Sequence, residues 1–555
     1  MRRLITALLL TSLLAINIAP GYAQRTSDKS KKAAAVAPTV QRGVDTISAM
    51  QMKDYLTFIA SDEMEGRDTP SRGLDTTAKF IAMNLARWGF KPGGDNGSYL
   101  QRIDLKRDRI EGAQTRVELN GRVLTPGTDY LPAGGSGNIK GQLVFAGSGW
   151  FVKSKQIDAF KDIDGSGKIA VVFGTPNFPP RGVTRSDFGK QGEDYMNASD
   201  YARKVGAVGL IYVPDFQYLS NWERNRQRIM ERGTTVVAKF QTPTSAPVPS
   251  IIVSPEIANS ILAGEKSTAN AIFNASYGPG LPPPFALAGN KTISISLTSK
   301  SETVPTQNVV AIWEGSDPVL KDEYVAVGAH YDHVGICAPT GADPICNGAD
   351  DDGSGTTAIL SMAEALAKAP TRPKRSVLFV WHCGEEKGLW GSRYFTEYPT
   401  VPLDHVVAQL NIDMIGRSKT EGDTNPRNKD LTGPNAVYLI GSTMMSTELG
   451  ELVQAVNKSY LNIGYDTRYD DPADPNRFFY RSDHFNYARK GIPIIFFFDG
   501  VHQDYHQPGD SADKIDYQKM EKITRTVYMT LWEVANRATR VKVDKPLPPQ
   551  LTGSS

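Results

Sequence analysis

Residues 324–335 read YVAVGAHYDHVG. Six residues with no charged side chain lead into His330, and Asp332 follows two positions on. A short run that is apolar throughout is a strand covered on both faces rather than a half-exposed one. The pattern recurs in SVLFVWH (376–382), VVAQLNI (406–412), AVYLIG (436–441) and IPIIFFF (492–498), with helix-length segments between. Alternation of this kind predicts an α/β fold whose mixed, largely parallel sheet is sandwiched by helices.

In such sheets, sites form beyond the carboxyl ends of the strands, and here those ends are polar. His330 and Asp332 follow the first run, Glu385 and Glu386 the second, and Asp413 the third. The last run leads into DGVHQDYHQPGDSADKID (499–516), which carries His502, Asp504, Tyr505 and His506. Between the first two runs, NGADDDGSG (347–355) sets Asp350, Asp351 and Asp352 side by side, just before the helical spacing of SGTTAILSMAEALAKA (354–369). One of the three serves as an N-cap in the simplest reading; three exceed what a cap needs. Taken singly, each group has an ordinary explanation: a hydrogen-bonded surface histidine, a solvated acidic pair, a turn-forming aspartate. Their coincidence along one sheet edge points to bound dications. Imidazole nitrogen with carboxylate oxygen is a donor set that suits zinc.

The rest of the chain bounds the reading. It has 555 residues, 40% hydrophobic and 22% charged, with a formal charge of +2. This balance gives no support for a nucleic-acid partner or an anionic membrane surface. MRRLITALLLTSLLAINIAPGYAQ at the start reads as a signal peptide, residues 1–23, cleaved after Ala23, and no later run is long enough to span a bilayer. The expected localisation is secreted or periplasmic, without membrane insertion after cleavage. Residues 24–45 read as a disordered leader. Of three cysteines, Cys337 and Cys346 stand nine residues apart in one loop and are able to pair in an oxidising compartment.

Two helices are expected after Thr46, from MKDYLTF and GLDTTAKFIAMNLARWGF. Short β-like runs then follow: GQLVFAG, GKIAVVFG, VGLIYV and VPSIIVS, broken by Gly, Pro and Asp and ending at GPGLPPPF (278–285). They define an expected β-rich insert over 130–285 within a main domain of 46–129 and 286–545. DIDGSG (162–167) opens like a calcium loop, but its twelfth position is Phe173, and the motif fails.

GAHYDHVG, NGADDDGSG, GEEKGLWGS, LNIDMIG and DYHQPGDSADKID together resemble the motifs of the co-catalytic di-zinc aminopeptidase family, whose relatives include carboxypeptidases and the transferrin receptor ectodomain. The resemblance covers about 300–530 and reaches weakly to IASDEMEGRD (59–68); the insert is similar to a protease-associated domain. It implies two Zn2+, with His330 and Asp413 on one, Glu386 and His506 on the other, and Asp351 bridging. It implies Glu385 as general base, Asp332 as the carboxylate orienting His330, and Tyr505 and Arg481 as groups steadying an oxyanion. It implies peptide substrates and an aminopeptidase. Carboxypeptidase chemistry, a glutaminyl cyclase and a non-catalytic receptor-like module are the alternatives. For a terminal amine the sequence offers Asp504 or a glutamate of the DEMEGR loop; for a terminal carboxylate it offers Arg481.

Overall fold

A computed structural model describes residues 43–176, 178–241, 247–275, 280–340 and 342–547. The signal-peptide reading and all but residues 43–45 of the leader lie outside the described residues. The leader expectation needs correction at its end, because Val44 is fully buried in the main core and is not part of a free tail.

Ten strands form the first sheet. The nine on its main path are β1 (Leu100–Ile110), β2 (Thr234–Val237), β3 (Ser299–Trp313), β4 (Tyr324–His330), β5 (Ser376–His382), β6 (Val406–Ile412), β7 (Ala436–Ile440), β8 (Gly464–Asp466) and β9 (Ile494–Phe498), in the spatial order β2-β1-β3-β5-β4-β6-β9-β7-β8. The four central strands β5, β4, β6 and β9 are mutually parallel, as the apolar runs predict. Period-two alternation splits their side chains between two cores: Val325, Val327, Phe379 and Trp381 pack on one side, Ala326, Leu378 and Val380 on the other.

Helices α1 (Ala49–Ile59), α2 (Arg72–Arg87), α3 (Gly353–Lys368) and α4 (Tyr517–Asn536) supply buried faces to the first of these cores. Thirteen residues of α3 are buried, which its nearly unbroken small and apolar sequence permits. The Trp381 indole N–H donates to Thr356 O at 3.2 Å, fastening β5 to α3. The parallel register pairs His330 with His382, so β4 and β5 end level and deliver their following loops to the same edge.

A second sheet of nine strands forms a separate layer with cores on both faces. The four runs read from sequence all lie in it, at Gly137–Phe145, Ile169–Phe173, Gly209–Val213 and Ser250–Val253. The expected limits of 130–285 are corrected at four strands. Arg116–Leu119, Arg122–Leu124 and Thr292–Leu297 also belong to this sheet, whereas β2, from inside that range, pairs antiparallel with β1 on the edge of the first. The composition shift tracks Gly- and Pro-rich turns; it does not say which sheet an alternating strand completes. The first two of these strands form a hairpin whose turn, Asn120-Gly121, has both φ angles positive, a turn geometry matched to strand twist.

His484 begins the short helix His484–Ala488 and stacks on Phe496 with ring centroids 4.4 Å apart. Its Nε2–H donates to Phe479 O at 2.8 Å. Burial disfavours the imidazolium and pushes this group down to about 3, with the Phe479 carbonyl and Asp483 opposing only in part. The unfolded chain therefore binds a proton that the folded one refuses between about pH 6.5 and 3, so this contribution is intact above the unfolded value and lost as pH falls through that window. His484→Gln keeps a donor and removes the titration. Urea melts at stepped pH are expected to show a shallower loss of stability below pH 6.5 for the variant than for the parent chain.

Candidate metal centre

Five loops converge at the carboxyl edge of the central strands. His330 is the last residue of β4, Asp413 follows β6, and Glu385 and Glu386 lie three and four residues beyond β5. Asp350 to Asp352 precede α3, and His506 comes from the loop after β9. Within the triplet, Asp352 caps α3 by accepting from Gly355 N at 2.8 Å. Asp350 accepts from Gly416 N at 2.6 Å and lies 3.3 Å from His502 Nε2. Asp351 alone faces the center of the site.

Its two oxygens face two different sets of groups. His330 Nε2 lies 3.3 Å from Asp351 Oδ1 and 3.6 Å from Asp413 Oδ1. His506 Nε2 lies 3.0 Å from Asp351 Oδ2 and 3.1 Å from Glu386 Oε2. Glu385 Oε2 sits beside the first set, 4.0 Å from His330 Nε2. All five residues expected to hold metal thus come together, in the grouping expected, with Asp351 common to both: His330, Asp351 and Asp413 form one group of potential ligands, and Asp351, Glu386 and His506 belong to the other.

The donor set fits zinc on the structure's own terms. Asp351 Oδ2, Glu386 Oε1 and His506 Nε2 are buried and make no hydrogen bond, although partners lie within reach. Atoms that converge without bonding one another are aimed at a shared point. Burial raises the Glu385 carboxyl well above the usual range, with Glu386 and Asp413 adding to the rise and His330 opposing it. Burial pulls the His506 imidazole down, but Asp351 and Glu386 prevail and push it up to about 10. The pocket demands positive charge. Two imidazole and carboxylate clusters sharing one carboxylate are suited to a pair of dications.

Asp332 acts somewhat differently from the expectation. Its backbone carbonyl is nearer to His330 Nδ1, at 3.1 Å, than its carboxylate, at 3.7 Å. That carboxylate accepts from Glu385 N at 3.1 Å, so Asp332 links the β4 and β5 loops. Tyr505 stacks on His506, with centroids 3.8 Å apart, and burial together with Asp351, Glu386 and Glu385 holds its phenol protonated. Arg481 is exposed and lies over the Phe478 ring at 5.0 Å. Both line the cleft that reaches His330, Asp351, Glu385 and Asp413. The rest of that cleft is largely apolar, with Met414, Phe478, Phe496, Phe498 and Val501.

Two expectations for an amine anchor are corrected. Asp504 is already engaged, at 2.8 Å from Arg417 and 3.2 Å from Lys514. Glu63 and Glu65 of the DEMEGR loop are exposed and do not line the cleft. His502 belongs to the Asp350 network and to neither ligand group. What the early loop delivers instead is Arg67, which is fully buried. Its guanidinium donates to four carbonyls: Tyr331 at 2.9 Å, Ile59 and Asn347 each at 2.7 Å, and Gly348 at 2.8 Å. It fastens the loop after β4 to the loop before α3. Sequence reasoning placed this loop near the site but missed the arginine, because a cation bound only by backbone has no partner residue to read.

A protein-family model described as Peptidase family M28 matches residues 308–531. A probable leucine aminopeptidase from Arthroderma benhamiae is 30% identical over 226 residues, 39% of this chain and 56% of that protein. A probable zinc metalloprotease from Pyrenophora teres f. teres is 30% identical over 249 residues, 41% of this chain and 48% of that protein. The chain thus spans about half the length of the curated relatives it matches. In fold it is similar to an aminopeptidase from Aneurinibacillus sp. strain AM-1, with a TM-score of 0.53 and 15% identity, over 91% of this chain and 98% of that one.

Removing the Arg67 fork leaves buried carbonyls without donors, at about 1–3 kcal/mol each. Arg67→Ala is expected to lose more than ~3 kcal/mol in equilibrium denaturation, and Arg67→Lys to recover only part of it, because an ammonium lacks the planar fork.

Proposed function

We propose, from the match of residues 308–531 to the peptidase family M28 model, that the protein is an exported zinc aminopeptidase that removes the N-terminal residue of short peptides. The observation that carries the reading is the pair of ligand groups sharing Asp351, with Glu385 beside them at the end of a cleft. His330 and Asp413 would hold one zinc, Glu386 and His506 the other, and Asp351 would contribute to both. Bound there, the pair supplies Lewis acidity toward the peptide carbonyl and makes a water acidic enough to deprotonate near neutral pH.

This chain's own residues do the rest. Glu385 takes the proton from the attacking water and passes it to the leaving amine. Its backbone is held by Asp332, which also faces His330. The protonated Tyr505 donates toward the developing oxyanion, with Arg481 adding charge from the rim; one such donor is typically worth about 3–4 kcal/mol. Met414, Phe478, Phe496, Phe498 and Val501 offer the terminal side chain an apolar border, which agrees with the name of the Arthroderma benhamiae relative.

Export rests on the N-terminal apolar run and on the Cys337–Cys346 disulfide, which belongs in an oxidising compartment. Among the described residues no helix is long and apolar enough to cross a membrane. The second sheet unit serves as a protease-associated domain that narrows access to the site. In support, Ile229 and Met230 pack against that unit's core, and Arg232 of the same segment donates to Ile336 O, on the disulfide-closed hairpin between the β4 loop and the triplet.

The direct test compares dipeptides with free and with blocked amino groups. Release of the N-terminal residue from free substrates alone is expected; release of the C-terminal residue from blocked ones would replace the reading with a carboxypeptidase. Glu385→Gln is expected to retain its zinc by elemental analysis while turnover falls about 10²–10⁴-fold.

A further inference from the structure

We propose that His333 is a sixth protein ligand at this site, closing the Glu386 and His506 side into a four-donor set, so that the two cations are held unequally. The inference rests on the metallopeptidase reading above and goes beyond it in assigning a ligand and an order of metal retention.

His333 lies three residues past His330 and has no solvent exposure. Its Nδ1 is 3.0 Å from Glu386 Oε1 and 3.6 Å from Asp351 Oδ2. Its ring meets His506 edge to face, with centroids 5.5 Å apart. Neither ring nitrogen makes a hydrogen bond, and Glu386 Oε1 and Asp351 Oδ2 are unpaired as well. A buried imidazole with both nitrogens unsatisfied is costly, and a cation at the point these atoms surround removes the cost for Nδ1 and both carboxylates. One donor atom each from His333, Asp351, Glu386 and His506 lies within 4.8 Å of the others, giving two nitrogens and two oxygens.

The surrounding backbone is shaped around this ring. His333 N donates to Arg67 O at 3.2 Å. Gly348, at φ +62, presents a bare Cα to the imidazole; a Cβ there would fall 2.5 Å from Cγ and 2.6 Å from Cδ2. The same Cβ would fall 2.3 Å from Asp351 O, so a larger residue at 348 disturbs the triplet backbone as well as the His333 ring.

Among the described residues the other group has His330, Asp351 and Asp413 alone. The cleft is lined by those three and Glu385, and not by His333, Glu386 or His506. Three protein ligands with an open face mark a site that receives water and substrate, and four mark a closed one. The cation on the His330 side, with fewer protein donors and facing the cleft, is therefore the exchangeable one; the cation on the His333 side, although His506 is 33% exposed, has four donors and is the retained one.

The test begins with the unaltered full-length protein. Stepwise chelation is expected to remove one zinc readily and leave one; zinc-edge X-ray absorption on that one-zinc form is expected to count two imidazoles. His333→Ala is expected to weaken retention of that last zinc at least ~100-fold, more than the loss of an outer-shell partner causes, and to bleach the visible absorption of the corresponding four-coordinate cobalt form. Should His333→Ala fail to fold by circular dichroism, the X-ray absorption count decides. One imidazole per zinc, or a His333→Ala protein that retains zinc like its parent, overturns the role of His333 and leaves the peptidase reading standing. A parent protein that binds no zinc overturns both.

Discussion

The mutual repulsion of four buried carboxylates governs this molecule. Asp351, Glu385, Glu386 and Asp413 crowd together at the end of the cleft, and Asp351 is only 3% exposed. Desolvation disfavours each charge, and each carboxylate worsens its neighbours. Imidazoles relieve part of this. Asp351 is held well below the usual carboxylate range because His333, His330 and His506 overcome its burial. A cluster in which histidines are drafted as counterions is built around cations, and the remaining architecture keeps its groups from springing apart.

That restraint comes from two directions. From below, parallel strands β4, β5 and β6 end at nearly the same level, so short loops set His330, Glu385, Glu386 and Asp413 on one edge. From the side, buried polar contacts lock the loops together. Arg67 binds carbonyls of the β4 and triplet loops. Asp510 accepts from Asp350 N and Asp351 N at 3.0–3.1 Å, and Asp352 accepts from Met414 N at 3.1 Å. The outer aspartates of the triplet thus fix backbone, which frees the middle one to face inward with both oxygens available.

The same division explains the cleft. Its floor is polar and carries the reacting groups; its wall is drawn from Phe496 and Phe498 of β9 and from loops that follow β6 and β9. Alternation along β9 puts both rings on the face opposite Ile495 and Phe497, which belong to the other core. One strand therefore packs into a core on each face, and Phe496 and Phe498 of one face also border the cleft.

By itself the sequence determined the parallel core, the polar ends of its strands and the helix after the triplet, because these follow from local period and from residue type at fixed positions; the sharing of Asp351 was implied only by the motif resemblance. It placed the second sheet but misplaced its limits, since Arg116–Leu124 and Thr292–Leu297 look like any alternating segments until they pair. Only the tertiary structure decided that Asp504 is spent on Arg417, that Arg67 ties two loops through their carbonyls, and that His333 turns toward Glu386. The physical reason is the same in each case. Such roles are set by which atoms remain unpaired after distant loops have closed on one another, and a chain read one residue at a time does not contain that information.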